Sequence, residues 1–450
     1  MQNPPKPTRI SRRRFLATAS TAAAVAAARP VTETHGLAQS DESTPAKLAL
    51  EGGPKAVGAR SKAPRRWGRP EQDRVQRALD QDTLFYWKGP QTQAFVERFQ
   101  QLCPATHVMP CSSGTAALHI AVAAAGIGPG DEVITSPITD MGTVIGVIYQ
   151  QGVPVFADLG ASTYNLDPAD VERRITARTK AIIAVHLCGN PCDLTTLREI
   201  ADRHKLILIE DCAQAWGARH RGKPVGTFGH IGCWSLQNSK HITCGDGGVV
   251  ASSDPRLGPL LQRFGDKGMD RLNPGLFSHF APNYRWTEPQ AAIAAAQLER
   301  LEAIVETRSR LGVRLSKALS GIPGVQPHAV HADDRCSFWF YFLRLKPEAF
   351  RATREQFVKA LAAEGVDTSA GYIPVPLYGN PVFQKHGFFA GRWPVKEFGL
   401  TTMDYTQIHC TEAEAILKTG LRIGLHEGMS EPEIDAIASA VRKVAAAYRA

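Results

Sequence analysis

A chain of 450 residues is too long for an isolated binding module and long enough for two or three domains around a sizeable core. Its 43% apolar and 21% charged residues, with 39 Gly and 30 Pro, match an ordinary folded protein and exclude a disordered or collagen-like one. The formal charge of +9 does not amount to a nucleic-acid-binding field: Lys6, Arg9, Arg12, Arg13, Arg14 and Arg29 against Glu33 account for five of those charges, leaving +4 for the rest.

At the amino end, Ser11-Arg12-Arg13-Arg14-Phe15-Leu16 precedes an alanine-rich run from Ala17 to Ala28, and Gly36-Leu37-Ala38 offers small residues for a cut after Ala38. The segment resembles a twin-arginine signal peptide, which implies the export machinery as a partner and an exported, periplasmic or extracytoplasmic location. Twelve apolar-to-small residues are too few to span a bilayer, for which about 20 are needed, so no stable membrane anchor is expected. From Asp41 to about Pro70 the chain is rich in Gly, Pro, Lys and Arg without periodicity. That stretch predicts an extended arm of the kind that crosses to a partner subunit.

Between Thr115 and Ser252 apolar runs alternate with helical patterns. The spacing predicts helices over 116–125, 141–150 and 194–204, and strands over 132–136, 153–157, 181–186, 206–210, 231–236 and 248–252. Short β-rich runs separated by helices imply a mostly parallel sheet covered on both faces, an α/β domain. A long Ala-, Leu- and Glu-rich helix over 288–319 reads as a connector. Beyond it, strands over 338–345, 366–372 and 420–425 and helices over 354–364 and 431–448 form a smaller α+β unit. The expected division is a signal at 1–38, an arm and first helix at 39–95, a large domain at 96–305 and a small domain at 306–450. The nine cysteines lack paired CxxC clusters and zinc-finger histidines, so they read as ordinary reduced thiols, with no metal site expected. CGNPC, from Cys188 to Cys192, reads as a turn after a strand.

Three loops fall where strands of such a sheet end, the edge at which open α/β sheets place ligands. Ser112-Ser113-Gly114-Thr115 heads a helix whose N-terminus offers unpaired N–H groups to an anion. Glu210-Asp211-Cys212-Ala213-Gln214 follows an apolar run, and a carboxylate at the end of a buried strand needs a partner to offset its desolvation. Ser235-Leu236-Gln237-Asn238-Ser239-Lys240 places a lysine among small residues, where its pKa can fall far enough for Schiff-base chemistry. An anion cradle, a carboxylate and a lysine are what pyridoxal 5′-phosphate (PLP) requires.

With those loops, SSGTAAL, GDEVITSP, VPVFAD, TKAIIAVHLCGNPCD, IEDCAQAWGA, SLQNSKHITCGDGG and NYRWTEPQAAIAAAQLERL stand in order, and from about Leu48 onward the chain resembles the DegT/DnrJ/StrS family of PLP-dependent sugar aminotransferases. The resemblance implies an aspartate-aminotransferase-like fold, fold-type I, with a smaller C-terminal α+β domain. It also implies a homodimer with shared active sites, and a transaminase taking an amino group from an amino acid such as glutamate or glutamine to a keto sugar, cyclitol or related ketone. Lys240 matches the lysine that forms the internal aldimine and shuttles the proton, and Asp211 the partner of the pyridinium. Gln214 matches a residue near the ring's phenolic oxygen. Ser113, Gly114, Thr115 and Ser235 match the phosphate cradle. Asn283 matches a phosphate contact and Arg285 a carboxylate contact, both given across the dimer interface. His186 is either a substrate contact or a structural histidine. A non-catalytic PLP-binding regulator, or a PLP lyase or dehydratase, remains the alternative.

The chain departs from the family pattern at two places. Asp140 stands where an aromatic residue usually covers the cofactor ring, and reads either as a cap for the helix beginning at Met141 or as a contact for substrate. Asp266-Lys267-Gly268 replaces a more usual His-Gly pair.

Overall fold

The computed structural model describes residues 47–275, 277 and 279–450. The signal at 1–38 lies outside them. Seven strands form the main sheet: β1 His107–Cys111, β2 Glu132–Thr135, β3 Val153–Phe156, β4 Thr179–Val185, β5 Ile207–Asp211, β8 Ile231–Ser235 and β9 Gly248–Ser252. Between β5 and β8, β6 Arg219–His220 and β7 Lys223–Pro224 make a small hairpin. The sheet order is β1-β9-β8-β5-β4-β2-β3, with β9 antiparallel to both neighbours and the other pairs parallel. β2, β3, β8 and β9 are buried along their whole length, as expected of strands covered on both faces. Because β9 alone runs backwards, β1, β2, β4, β5 and β8 all end on one edge.

A second sheet, β10 Val325–Pro327, β11 Tyr341–Leu345, β12 Thr368–Ala370 and β13 Gly420–Ile423, has the order β10-β11-β13-β12 and is antiparallel throughout. It packs with the helices Arg354–Ala363 and Glu431–Ala447 around its own apolar cluster, which includes Phe357, Tyr341 and Val441. β11 starts at Tyr341 rather than at Phe338, because Phe338 takes a left-handed φ of 45° that ends strand pairing.

One further expectation is corrected. The helix expected over 288–319 is two helices, Glu288–Leu298 and Leu301–Leu319. Neither Gly nor Pro marks the break. Arg300 leaves helical geometry (φ −113°, ψ 3°), and its guanidinium reaches Glu71 at 2.6 Å and the carbonyl of Arg66 at 2.5 Å, so tertiary contacts bend the chain. The described part of the arm docks on its own chain. The N–H groups of Ala49 and Ala56 donate to the buried Glu364 carboxylate at 2.8 and 2.9 Å, Leu48 and Val57 enter the second cluster, and Ser61 N–H donates to Glu433.

Candidate active site

The shared strand edge carries a cavity of about 400 Å³. On its first side β1 ends and the helix Gly114–Ala124 begins, with Ser113 as N-cap. Ser113 Oγ accepts from Ala116 N–H at 3.0 Å and its carbonyl from Ala117 N–H, which leaves the N–H groups of Gly114 and Thr115 as the helix's own free donors. A Cβ at Gly114 would lie 2.7 Å from the Ser235 Cβ, so only glycine lets the helix start close against the end of β8. Ser113, Gly114, Thr115 and Ser235 all line the cavity.

On the second side β5 ends at Asp211, which is 4% exposed. Its carboxylate accepts from Thr143 Oγ at 2.8 Å and from Ala213 N–H at 3.0 Å. Burial raises the Asp211 pKa, opposed by those two donors and by the charge of Lys240. Lys240, after β8, is 9% exposed and lines the same cavity. Burial lowers its pKa, opposed by Asp211 and Asp140. Arg66 from the arm donates to the Lys240 carbonyl at 2.6 Å, and Lys240 Nζ lies 3.8 Å above the centre of the Trp339 ring.

Asp140 stands just before a helix and at the edge of the cavity. Its Oδ1 accepts from Gly142 N–H at 2.8 Å, capping the helix Gly142–Tyr149, and the residue also faces the cavity. Met141, expected to begin that helix, stands as its N-cap.

The other expected residues lie away from the cavity. His186 is fully buried: its Nδ1 accepts from Cys192 N–H at 3.1 Å, so Nε2 carries the proton and donates to Glu210 at 3.2 Å. This corrects the substrate-contact reading of His186 in favour of the structural one. Glu210 also accepts from the N–H groups of Gly226, Phe228 and Gly229, so the grouping of His186, Glu210 and Cys212 is a satisfied hydrogen-bond network rather than a metal site. Gln214 accepts from Cys188 N–H at 3.0 Å and donates towards Tyr372 at 3.4 Å, which places it behind the cavity wall. Asn283 and Arg285 bond each other at 2.8 Å, and Arg285 pairs with Asp266 at 3.4 Å; neither lines the cavity of its own chain. Asp266 is buried and also accepts from Tyr86 and Arg271.

Thr143, Trp339, Tyr372 and Asp246 also line the cavity and were not anticipated. Thr143 was legible as the residue one turn after Asp140. Trp339 and Tyr372 come from the second sheet's half of the chain, and nothing local in sequence links them to Lys240.

The profile of the DegT/DnrJ/EryC1/StrS aminotransferase family matches residues 67–442. GDP-perosamine synthase of Caulobacter vibrioides is 35% identical over 352 residues, 78% of this chain and 89% of the relative. dTDP-3-amino-3,4,6-trideoxy-alpha-D-glucose transaminase of Streptomyces venezuelae is 35% identical over 312 residues, 69% of this chain and 79% of that one. The crystal structure of an aminotransferase from Psychrobacter cryohalolentis superposes with a TM-score of 0.77 at 27% identity, covering 86% of this chain and 99% of that one. A cavity built from a lysine, a buried carboxylate and a helix N-terminus, on this sheet and with these relatives, makes the chain an aminotransferase and a member of the DegT/DnrJ/EryC1/StrS aminotransferase family.

Proposed function

We propose that the chain binds PLP in this cavity and moves an amino group from glutamate or glutamine to a keto sugar, cyclitol or related ketone. The carrying observation is that Lys240, Asp211 and the first turn at Ser113–Thr115 line one cavity. The residues fit the cofactor: two free N–H groups and the Ser235 hydroxyl suit its phosphate, and the buried Asp211 suits a protonated ring nitrogen. When bound, PLP supplies an electrophilic carbonyl and an electron sink. Burial favours the neutral Lys240 amine, which is both nucleophile and proton carrier at Nζ. Asp211, kept in place by Thr143 and Ala213, would supply negative charge to a protonated ring nitrogen. The named activities of the perosamine and trideoxyglucose relatives support a sugar-like acceptor.

Arg285 and Asn283, outside the cavity of their own chain, are proposed to reach the active site of a second copy, which makes the active unit a homodimer. The Arg12-Arg13 motif supports export through the twin-arginine machinery. Borohydride reduction and peptide mapping test the cofactor assignment. The adduct is expected on Lys240, and glutamate should convert the bound cofactor while releasing 2-oxoglutarate. An adduct on another lysine, or none after reconstitution, overturns it.

A further inference from the structure

Trp339 is held more firmly than a wall residue needs. Its indole N–H donates to the Ser239 carbonyl at 2.7 Å, its backbone N–H donates to Cys188 O at 2.9 Å, and its carbonyl accepts from Arg308 at 3.3 Å. Both neighbours in this arrangement are in the left-handed region, Phe338 at φ 45° and Cys188 at φ 60°, where bulky or branched residues are strained. Phe338 fits only because its ring lies against Gly312, where an added Cβ would come within 2.5 Å of it. Strain of this kind persists where the surroundings over-determine it, and here it fixes one ring face above Lys240 Nζ at 3.8 Å. Tyr372 stands edge-on to that ring, with centroids 6.0 Å apart, and Asp140, Gln237 and Asp246 are exposed around the same cavity.

We infer that the Trp339 face is the acceptor subsite and determines acceptor class, an inference that rests on the amino transfer proposed above. The reacting carbon of any ketone must come within reach of Lys240 Nζ, so the molecule carrying it lies against the same indole face. A cyclic polyhydroxy ketone presents a flat C–H face to the ring and directs its hydroxyls to the carboxylates and amide at the rim. An open-chain keto acid has no such face to lay against the indole.

The test uses full-length PLP-loaded protein and separates the two half-reactions. Glutamate converts the cofactor, and recovery is then driven either by an inosose, a six-membered ring ketone, or by 2-oxoglutarate. Trp339→Leu should weaken the inosose half-reaction about tenfold more than the 2-oxoglutarate one, mainly in KM, with Trp339→Phe recovering part of the loss. A binding readout needs no turnover: myo-inositol should quench indole fluorescence in Lys240→Ala protein and fail to do so when Trp339→Phe is added. Equal losses on both ketones, or quenching that survives Trp339→Phe, would overturn the subsite. A wild-type protein that never responds to glutamate would instead overturn the transaminase reading beneath it.

Discussion

At Asp211 stability and catalysis pull in opposite directions. Burial raises its pKa above the ordinary 3.8, so the native state holds the proton more tightly than the unfolded chain does. Stability therefore falls as pH rises from 3.8 through the native value, and at neutral pH the carboxylate carries the full penalty. Asp211→Asn should raise the Tm of cofactor-free protein at pH 7, with the gain shrinking as the pH approaches 3.8. Thr143 tolerates the change because its hydroxyl is paired with Thr139 at 2.7 Å and can reverse to accept from the new amide. Turnover should meanwhile drop on the order of 100-fold, as when a fixed electrostatic partner of the reacting centre is removed. Calorimetry and steady-state kinetics on one preparation check both; a variant less stable at pH 7, or equally active, would contradict this account. Asp211 and Lys240 could be picked from sequence because each lies at or just beyond the end of an apolar strand run, and Ser113 because it stands among small residues at the head of a helical pattern. Trp339 could not, since its link to Lys240 exists only once the second sheet is folded.

The arm shows the same limit for elements. Its irregularity was legible from Gly, Pro and charge, but its docking depends on Glu364, far along the chain. Burial alone would raise the Glu364 pKa; the Ala49 N–H, Lys443 and the Ala56 N–H together bring it below its ordinary 4.5. That contribution is complete above pH 4.5 and is lost as pH falls through the native value. Glu364→Ala should cost about 1–3 kcal/mol, since two N–H groups and the Lys443 ammonium lose their acceptor. Trypsin should then cut faster at Lys55 and Arg60. Unchanged cleavage would show that another contact holds the arm. The strands were readable because apolar runs ending in polar loops carry their own boundaries. The break at Glu299–Arg300 was not, because a side chain from another helix, Glu71, helps to set it.

For the whole molecule, the placing of Arg285 outside its own cavity gives a test of assembly. Lys240→Ala and Arg285→Ala proteins should each be inactive or nearly so. If subunits pair at random and sites are shared, mixing should restore about a quarter of the sites. No recovery after confirmed subunit exchange would mean that each site is complete within one chain.

All nine cysteines are buried and unpaired, and burial raises the pKa of every thiol, which keeps each one protonated and unreactive while the fold is intact. In an oxidising compartment this makes the durability of the protein a matter of rate. Complete unfolding would release all nine thiols, an odd number, so at least one is left to attack another chain. Refolding from such a state must compete with mispairing. Wherever the chain meets an oxidant, its lifetime is therefore set by its unfolding barrier, and a variant with unchanged equilibrium stability but faster unfolding would be lost first.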